Sequence, residues 1–143
     1  MPRLIAIAKV AAEAGEVPIA AAIVGPDGVA IATYHNEVEH RRDATAHAEL
    51  LAIQMACRKL GRKYLEEYTL IVTLEPCAMC AAAASLVKIG KIIYGAYDAK
   101  GGGIEHGARI FAQPTCHHAP EVIGGVEADA CGKLLKDFFS AKR

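Results

Sequence analysis

The sequence predicts an α/β fold, and three observations predict it. Apolar residues recur with helical spacing in some segments and form short apolar or β-branched runs in others, and the two kinds alternate along the chain. The strongest strand signal, Tyr68-Thr69-Leu70-Ile71-Val72-Thr73-Leu74, is followed by a helical run and then by a second strand, Lys91-Ile92-Ile93-Tyr94-Gly95-Ala96. That order implies a parallel pair joined by a right-handed crossover. The 143 residues are 53% hydrophobic, enough for one full core, so residues 1–143 are expected to form a single domain without repeat or linker.

The elements follow in order. Leu4, Ile7, Ala8, Ala11 and Ala14 form a helical stripe that Gly15 ends. Val17 to Val24 reads as a buried strand, with Pro18 tolerable at its start. Pro26-Asp27-Gly28 turns the chain into a second strand, Val29 to Tyr34, so the two are expected to form a hairpin. Asn36 stands just past that strand, where an asparagine on its own is most simply a turn former. Thr45 is the expected N-cap of a helix reaching Leu60, with Gly61 as its stop and a core stripe of Ala46, Leu50, Ile53, Cys57 and Leu60. After the Tyr68–Leu74 strand a helix runs from the cysteine pair to about Lys88, and the Lys91–Ala96 strand follows. Asp98 to Gly103 is expected to be a flexible loop, Gly107 to Phe111 a short helix and Val122-Ile123 an edge strand. Glu127 to Phe139 closes the chain as a helix with the stripe Cys131, Leu134, Leu135 and Phe138.

Composition excludes several classes. The formal net charge is zero, so no global field points to nucleic acid or membrane, and any such contact rests on local clusters. The clusters are Arg41-Arg42, Arg58-Lys59-Arg62-Lys63, Lys100, and Lys136, Lys142 and Arg143 in the tail. Five cysteines, two of them in metal-like spacing, argue against a disulfide framework. No apolar run approaches a membrane span, and Lys9, Glu13 and Glu16 spoil a signal peptide, so a cytoplasmic protein with no membrane partner is expected.

The chemistry centres on Thr73-Leu74-Glu75-Pro76-Cys77-Ala78-Met79-Cys80 and, upstream, Thr45-Ala46-His47-Ala48-Glu49. Cys77 and Cys80 lie one turn apart at a helix start, where free N–H groups and the helix dipole favour the thiolate that binds metal. His47 supplies a third ligand for one Zn2+ per chain. Three protein ligands leave a coordination position open, as in catalytic sites. Glu49, two residues on, is the group placed to move protons. A redox Cys-x-x-Cys would leave His-x-Glu without a role, and a structural zinc would need a fourth ligand that no spacing supports. Cys57 falls in a core stripe, about 15 Å along the helix from His47, and reads as a packed thiol. Cys116-His117-His118 is a poor chelator, because adjacent side chains point apart.

The combination His47-x-Glu49 with Pro76-Cys77-x-x-Cys80 is the signature of zinc nucleobase deaminases, in which the glutamate is acid and base and not a ligand. Along almost its whole length the sequence resembles the bacterial tRNA-specific adenosine deaminases of the cytidine/deoxycytidylate deaminase superfamily. The matching pieces are Gly15-Glu16-Val17-Pro18-Ile19, Asn36, Asp43, both motif stretches, Tyr94-Gly95-Ala96-Tyr97-Asp98-Ala99-Lys100 and Leu134-Leu135-Lys136-Asp137-Phe138-Phe139. Departures are Ala20 for the usual Gly, Ala44 for Pro, and His117-His118-Ala119 for Asn-His-Arg.

The resemblance implies a three-layer α/β/α cytidine-deaminase-like fold around a mixed, mostly five-stranded sheet, and a homodimer. It implies hydrolysis of adenosine to inosine at the wobble position of a tRNA anticodon loop. It makes Asn36 a base-contacting amide, places Pro18 and Ala48 in the substrate site and puts Asp98 near the target ribose. The base must leave its stack to reach such a site, which suits a single-stranded anticodon loop. Two other readings stay open: a free nucleobase or nucleoside deaminase (guanine or cytosine) on the same scaffold, and a non-catalytic zinc-stabilised module. The positioned Glu49 argues against the second of these.

Overall fold

A computed structural model describes residues 1–142. The elements are α1 (Pro2–Glu13), β1 (Ala20–Val24), β2 (Ala30–His35), the single turn α2 (Val38–Arg41), α3 (Ala48–Leu60), β3 (Thr69–Leu74), α4 (Ala78–Leu86), β4 (Lys91–Ala96), a 3-10 turn (Ile110–Ala112), β5 (Glu121–Ile123) and α5 (Ala128–Ala141). The five strands form one sheet in the order β2-β1-β3-β4-β5. The β1 strand pairs antiparallel with β2 and β3, whereas β3, β4 and β5 run parallel. The expected hairpin, parallel crossover and edge strand are all present.

Strand periodicity assigns the two faces. Ala21 and Ile23 of β1, with Leu70 and Val72 of β3, point to the α3/α4 side and join the main core with Ala52, Ile53, Ala56, Ala81 and Ala84. Ala20, Ala22, Val24 and Ile71 point the other way and meet Leu4 and Ala8 of α1 and Leu134 of α5. The result is three layers, α1/α5, sheet and α3/α4, as the resemblance implies. The α5 helix lies very close to the sheet. A Cβ on Gly95 would stand 2.5 Å from Cys131 Sγ and 2.6 Å from the Thr73 carbonyl oxygen, so only glycine admits this approach.

Several local expectations are corrected. The α3 helix begins at Ala48 with His47 as its N-cap residue, not at Thr45. Thr45 instead donates from both its N–H and its hydroxyl to Asp43 Oδ1, at 2.8 and 2.7 Å, which ties it into a local turn two residues before the His47 N-cap. The buried stripe of α3 is Ala48, Leu51, Ala52, Ile53 and Ala56 together with Glu49, rotated from the expected one. Cys57 and Leu60 pack at the margin of that core, and burial pushes the Cys57 thiol pKa up. Gly61 ends the helix in the left-handed conformation, φ 62°, as expected. The β1 strand starts at Ala20 rather than Val17, since Ile19 N–H closes a tight turn onto the Val17 carbonyl. The Asp98–Gly103 segment is not a free loop: Gly102 and Gly103 are buried, and Gly103 N–H donates to the Pro76 carbonyl at 2.8 Å.

Candidate metal centre and its cavity

The parallel β3/β4 pair and the two helices of one layer bring the motif residues together. The β3 strand ends at Leu74, the chain turns through Glu75-Pro76, and Cys77 becomes the N-cap residue of α4 with Cys80 in its first turn. The same layer sets the start of α3 beside it, so His47 faces both sulfurs across about thirty residues of sequence. His47 Nδ1 lies 3.5 Å from Cys77 Sγ and 3.7 Å from Cys80 Sγ, and all three ligand atoms fall within 4.8 Å of one another. Zinc bonds of ~2.3 Å to sulfur and ~2.0–2.1 Å to nitrogen, at tetrahedral angles, put such atoms roughly 3.6 Å apart. The trio therefore fits zinc.

Its electrostatics fit as well. The neighbouring Cys80 and His47 lower the Cys77 thiol to about 4 against the effect of burial, while Cys77, burial and Glu49 push the Cys80 thiol up. The hydrogen bond to Cys77 raises His47, against the effect of burial. A divalent cation held by such a trio deprotonates its coordinating thiols outright. Glu49 is buried, and burial is the main cause that raises its carboxyl from 4.5 to about 7, poised for proton transfer near neutrality.

A cavity of about 420 Å³ opens over Glu49. His47, Ala48, Glu49 and Asn36 line it, together with residues that the sequence did not place in the site: Glu16, Val38, Phe138, Phe139 and Lys142. Asn36 is buried and lines the cavity, where its side-chain amide is placed to meet a ligand. Glu16 is buried too and accepts from the N–H groups of Glu39 and His40, which fixes the cavity's α2 wall. The Phe138–Phe139 pair, edge to face at 5.3 Å between centroids, brings α5 to the rim, with Lys142 Nζ over the Phe138 ring. The Phe-Phe repeat in the tail was the visible signal for that wall.

Two expected substrate residues lie apart from this cavity. Pro18 is fully buried and does not line it. Asp98 lines a neighbouring cleft, which shares Val17, Ile19 and Phe139 with the cavity. The Cys116-His117-His118 run does not converge on an ion. His118 Nε2 is engaged by the Ile89 carbonyl at 2.7 Å, and Cys116 Sγ by the His118 carbonyl at 3.2 Å. Among the described residues, His47, Cys77 and Cys80 are the one group arranged to hold a metal. Three of the four cations at the far end of α3 are locally engaged. Arg62 pairs with Glu67, Lys59 donates to the Ile31 carbonyl, and Lys63 and Lys88 lie over the Tyr64 ring. No helix among the described residues is long and apolar enough to cross a membrane.

Comparison with known proteins agrees with this geometry. Residues 1–96 match the cytidine and deoxycytidylate deaminase zinc-binding region. The chain is 49% identical over 136 residues to a tRNA-specific adenosine deaminase of Agrobacterium fabrum, covering 95% of this chain and 89% of that protein. A solved structure from work on A-to-I editing by tRNA:A34 deaminases at the wobble position superposes with a TM-score of 0.89. It is 48% identical and covers 92% of this chain and 95% of its own. A guanine deaminase from Bacillus subtilis superposes less well, with a TM-score of 0.65 at 26% identity over 99% of this chain and 90% of its own. Sequence, fold and metal-binding trio thus converge, and the chain belongs to the cytidine and deoxycytidylate deaminase zinc-binding family, among its tRNA-specific adenosine deaminases.

Proposed function

We propose that the protein hydrolyses adenosine to inosine and ammonia at the wobble position of a tRNA anticodon. The observation that carries this reading is the juxtaposition of the His47, Cys77 and Cys80 trio with a buried Glu49 under a cavity large enough to admit a nucleobase. The likeness to the tRNA:A34 deaminase structure supports RNA as substrate over a free base, because that structure is 48% identical to this chain whereas the Bacillus subtilis guanine deaminase is 26% identical.

Zinc, held by His47, Cys77 and Cys80, supplies the Lewis acidity that makes water a nucleophile near neutral pH. The rest falls to the chain. Glu49 takes a proton from the attacking water, delivers it to the base's ring nitrogen and protonates the departing amine. Burial beside the trio suits it to proton transfer, because a desolvated carboxyl takes up a proton more readily than an exposed one. Asn36 presents an amide to the edge of the base. Ala48, at the first position of α3, offers a backbone N–H without an intrahelical acceptor. Phe138 and Phe139 shield the cavity, and Asp98 in the adjoining cleft meets the ribose of the target nucleotide.

The protein acts in the cytoplasm as a homodimer. In support of the dimer, α4 carries no charged residue from Ala78 to Leu86 although it forms an outer layer, and Leu86 is 76% exposed. A helix apolar on all sides is one that is buried. Sedimentation at micromolar concentration tests this, and a Leu86→Glu variant is expected to sediment as a monomer. Turnover of a synthetic anticodon stem-loop, read as inosine and ammonia, tests the reaction itself. Turnover of guanine or cytosine with no turnover of the RNA would favour the nucleobase alternative.

A further inference from the structure

Glu75 lies two residues before the first zinc-binding cysteine, and its carboxylate is buried with no lysine or arginine paired to it among the described residues. It is held instead by one loop. Asp98 N–H donates to Oε1 at 3.1 Å, and the His106 ring Nδ1 lies 2.8 Å from the same oxygen. Three consecutive N–H groups, from Ile104, Glu105 and His106, converge on Oε2 at 3.2, 2.9 and 3.1 Å. A carboxylate in a nest of backbone donors is a strong and directional anchor. Its own backbone N–H continues the sheet by donating to the Ala96 carbonyl at 2.8 Å, so the anchor is fixed to both central strands.

The loop so held touches two parts of the site. It wraps the cysteine corner so tightly that a Cβ on Gly103 would stand 2.5 Å from Ala78 N. It also carries Asp98, whose Oδ1 accepts from the Lys100 and Gly101 N–H groups at 3.1 and 2.9 Å and whose side chain lines the cleft beside the cavity. The 98–106 loop therefore has one neighbour on the metal side and one on the substrate side, and a single buried carboxylate sets the spacing between them.

We propose that Glu75 is a positioning residue for the deamination, fixing Asp98 in register with the Cys77 corner so that the target nucleotide and the metal are presented at a set distance. This role rests on the functional reading above, in which Asp98 meets the target ribose. Two variants separate positioning from mere stability. Glu75→Gln puts an amide N–H2 among converging donors. Gly102→Ala leaves the carboxylate intact but places a Cβ 2.5 Å from both Glu75 Oε2 and the Asp98 carbonyl oxygen, forcing the loop away from its anchor. Gly102→Ala also carries the test if Glu75→Gln does not fold.

The experiment measures kcat and KM on an anticodon stem-loop, zinc content, and hydrogen exchange at the amides of Asp98, Ile104, Glu105 and His106. Both variants are expected to keep one zinc and exchange these amides faster. Their KM is expected to rise roughly tenfold with kcat within about threefold of wild type, the mark of lost binding geometry rather than lost chemistry. Asp98→Ala is expected to raise KM in the wild type and to add little in either variant, because the contact it removes is already displaced. Fully additive effects, a fall in kcat at unchanged KM, loss of zinc, or unchanged exchange at these amides would each overturn the role. A wild-type protein that leaves the RNA unedited would overturn the functional reading itself, whereas an active wild type with unaffected variants would overturn this inference alone.

Discussion

Replacing Glu49 by glutamine tests catalysis and folding at once, because the residue's cost and its use have one origin. Glutamine keeps the shape of the side chain but can neither accept nor deliver the proton. Proton transfer by a positioned side chain contributes typically ~10²–10⁴-fold, so turnover should fall by at least that range. In the zinc-free protein stability should move the other way. Burial raises the Glu49 carboxyl to about 7 in the fold, against 4.5 for an unperturbed glutamate. Between those values the folded state holds a proton that the unfolded state has lost, so stability falls as pH rises through this window. The full cost, present above about pH 7, is on the order of 3 kcal/mol. Glu49→Gln removes it. Urea unfolding of chelator-treated wild type and variant should therefore show the variant more stable at pH 8, by up to that amount, and the two equal near pH 4. Half or more of wild-type turnover in the variant would refute the catalytic role. A variant less stable at pH 8 would refute the desolvation argument, and loss of zinc with activity would make Glu49 a ligand.

Other outcomes follow from the same geometry. His47→Ala, Cys77→Ala and Cys80→Ala should each abolish stoichiometric zinc binding and activity, measured by metal analysis after dialysis. Retention of one zinc by any of them would show a ligand outside the trio. Neutralising Lys136 and Lys142, which line the Asp98 cleft and the cavity rim respectively, should weaken RNA binding. It should also flatten the dependence of log affinity on log salt by about 0.7 per lost phosphate contact. Unchanged affinity at low salt would place the RNA elsewhere. The third tail cation named from the sequence, Arg143, lies outside the described residues.

The legible parts of the fold were those in which neighbouring residues decide. Leu70 to Leu74 had to be a buried strand, and Gly61 had to stop a helix, because β-branching and backbone freedom act locally. The metal site was legible because the spacing of Cys77 and Cys80, one helical turn, is itself the geometry of ligation. The start of α3 was not, since a turn closed by Asp43 takes in Thr45 and the helix begins only after His47. The order of the 98–106 segment was also hidden. Its glycines suggest mobility, yet its donors are satisfied by Glu75, 23 to 31 residues away in sequence. The same holds for the α5 wall of the cavity, which depends on a tertiary approach that Gly95 permits.

The most direct test of the proposed chemistry is a single-turnover reaction of the zinc-loaded protein with an anticodon stem-loop bearing adenosine at the wobble position, run beside free adenosine, guanine and cytosine. Inosine formed at that position, with an equal amount of ammonia and negligible turnover of the free compounds, is the predicted result. An unedited RNA alongside brisk release of ammonia from guanine or cytosine would contradict it.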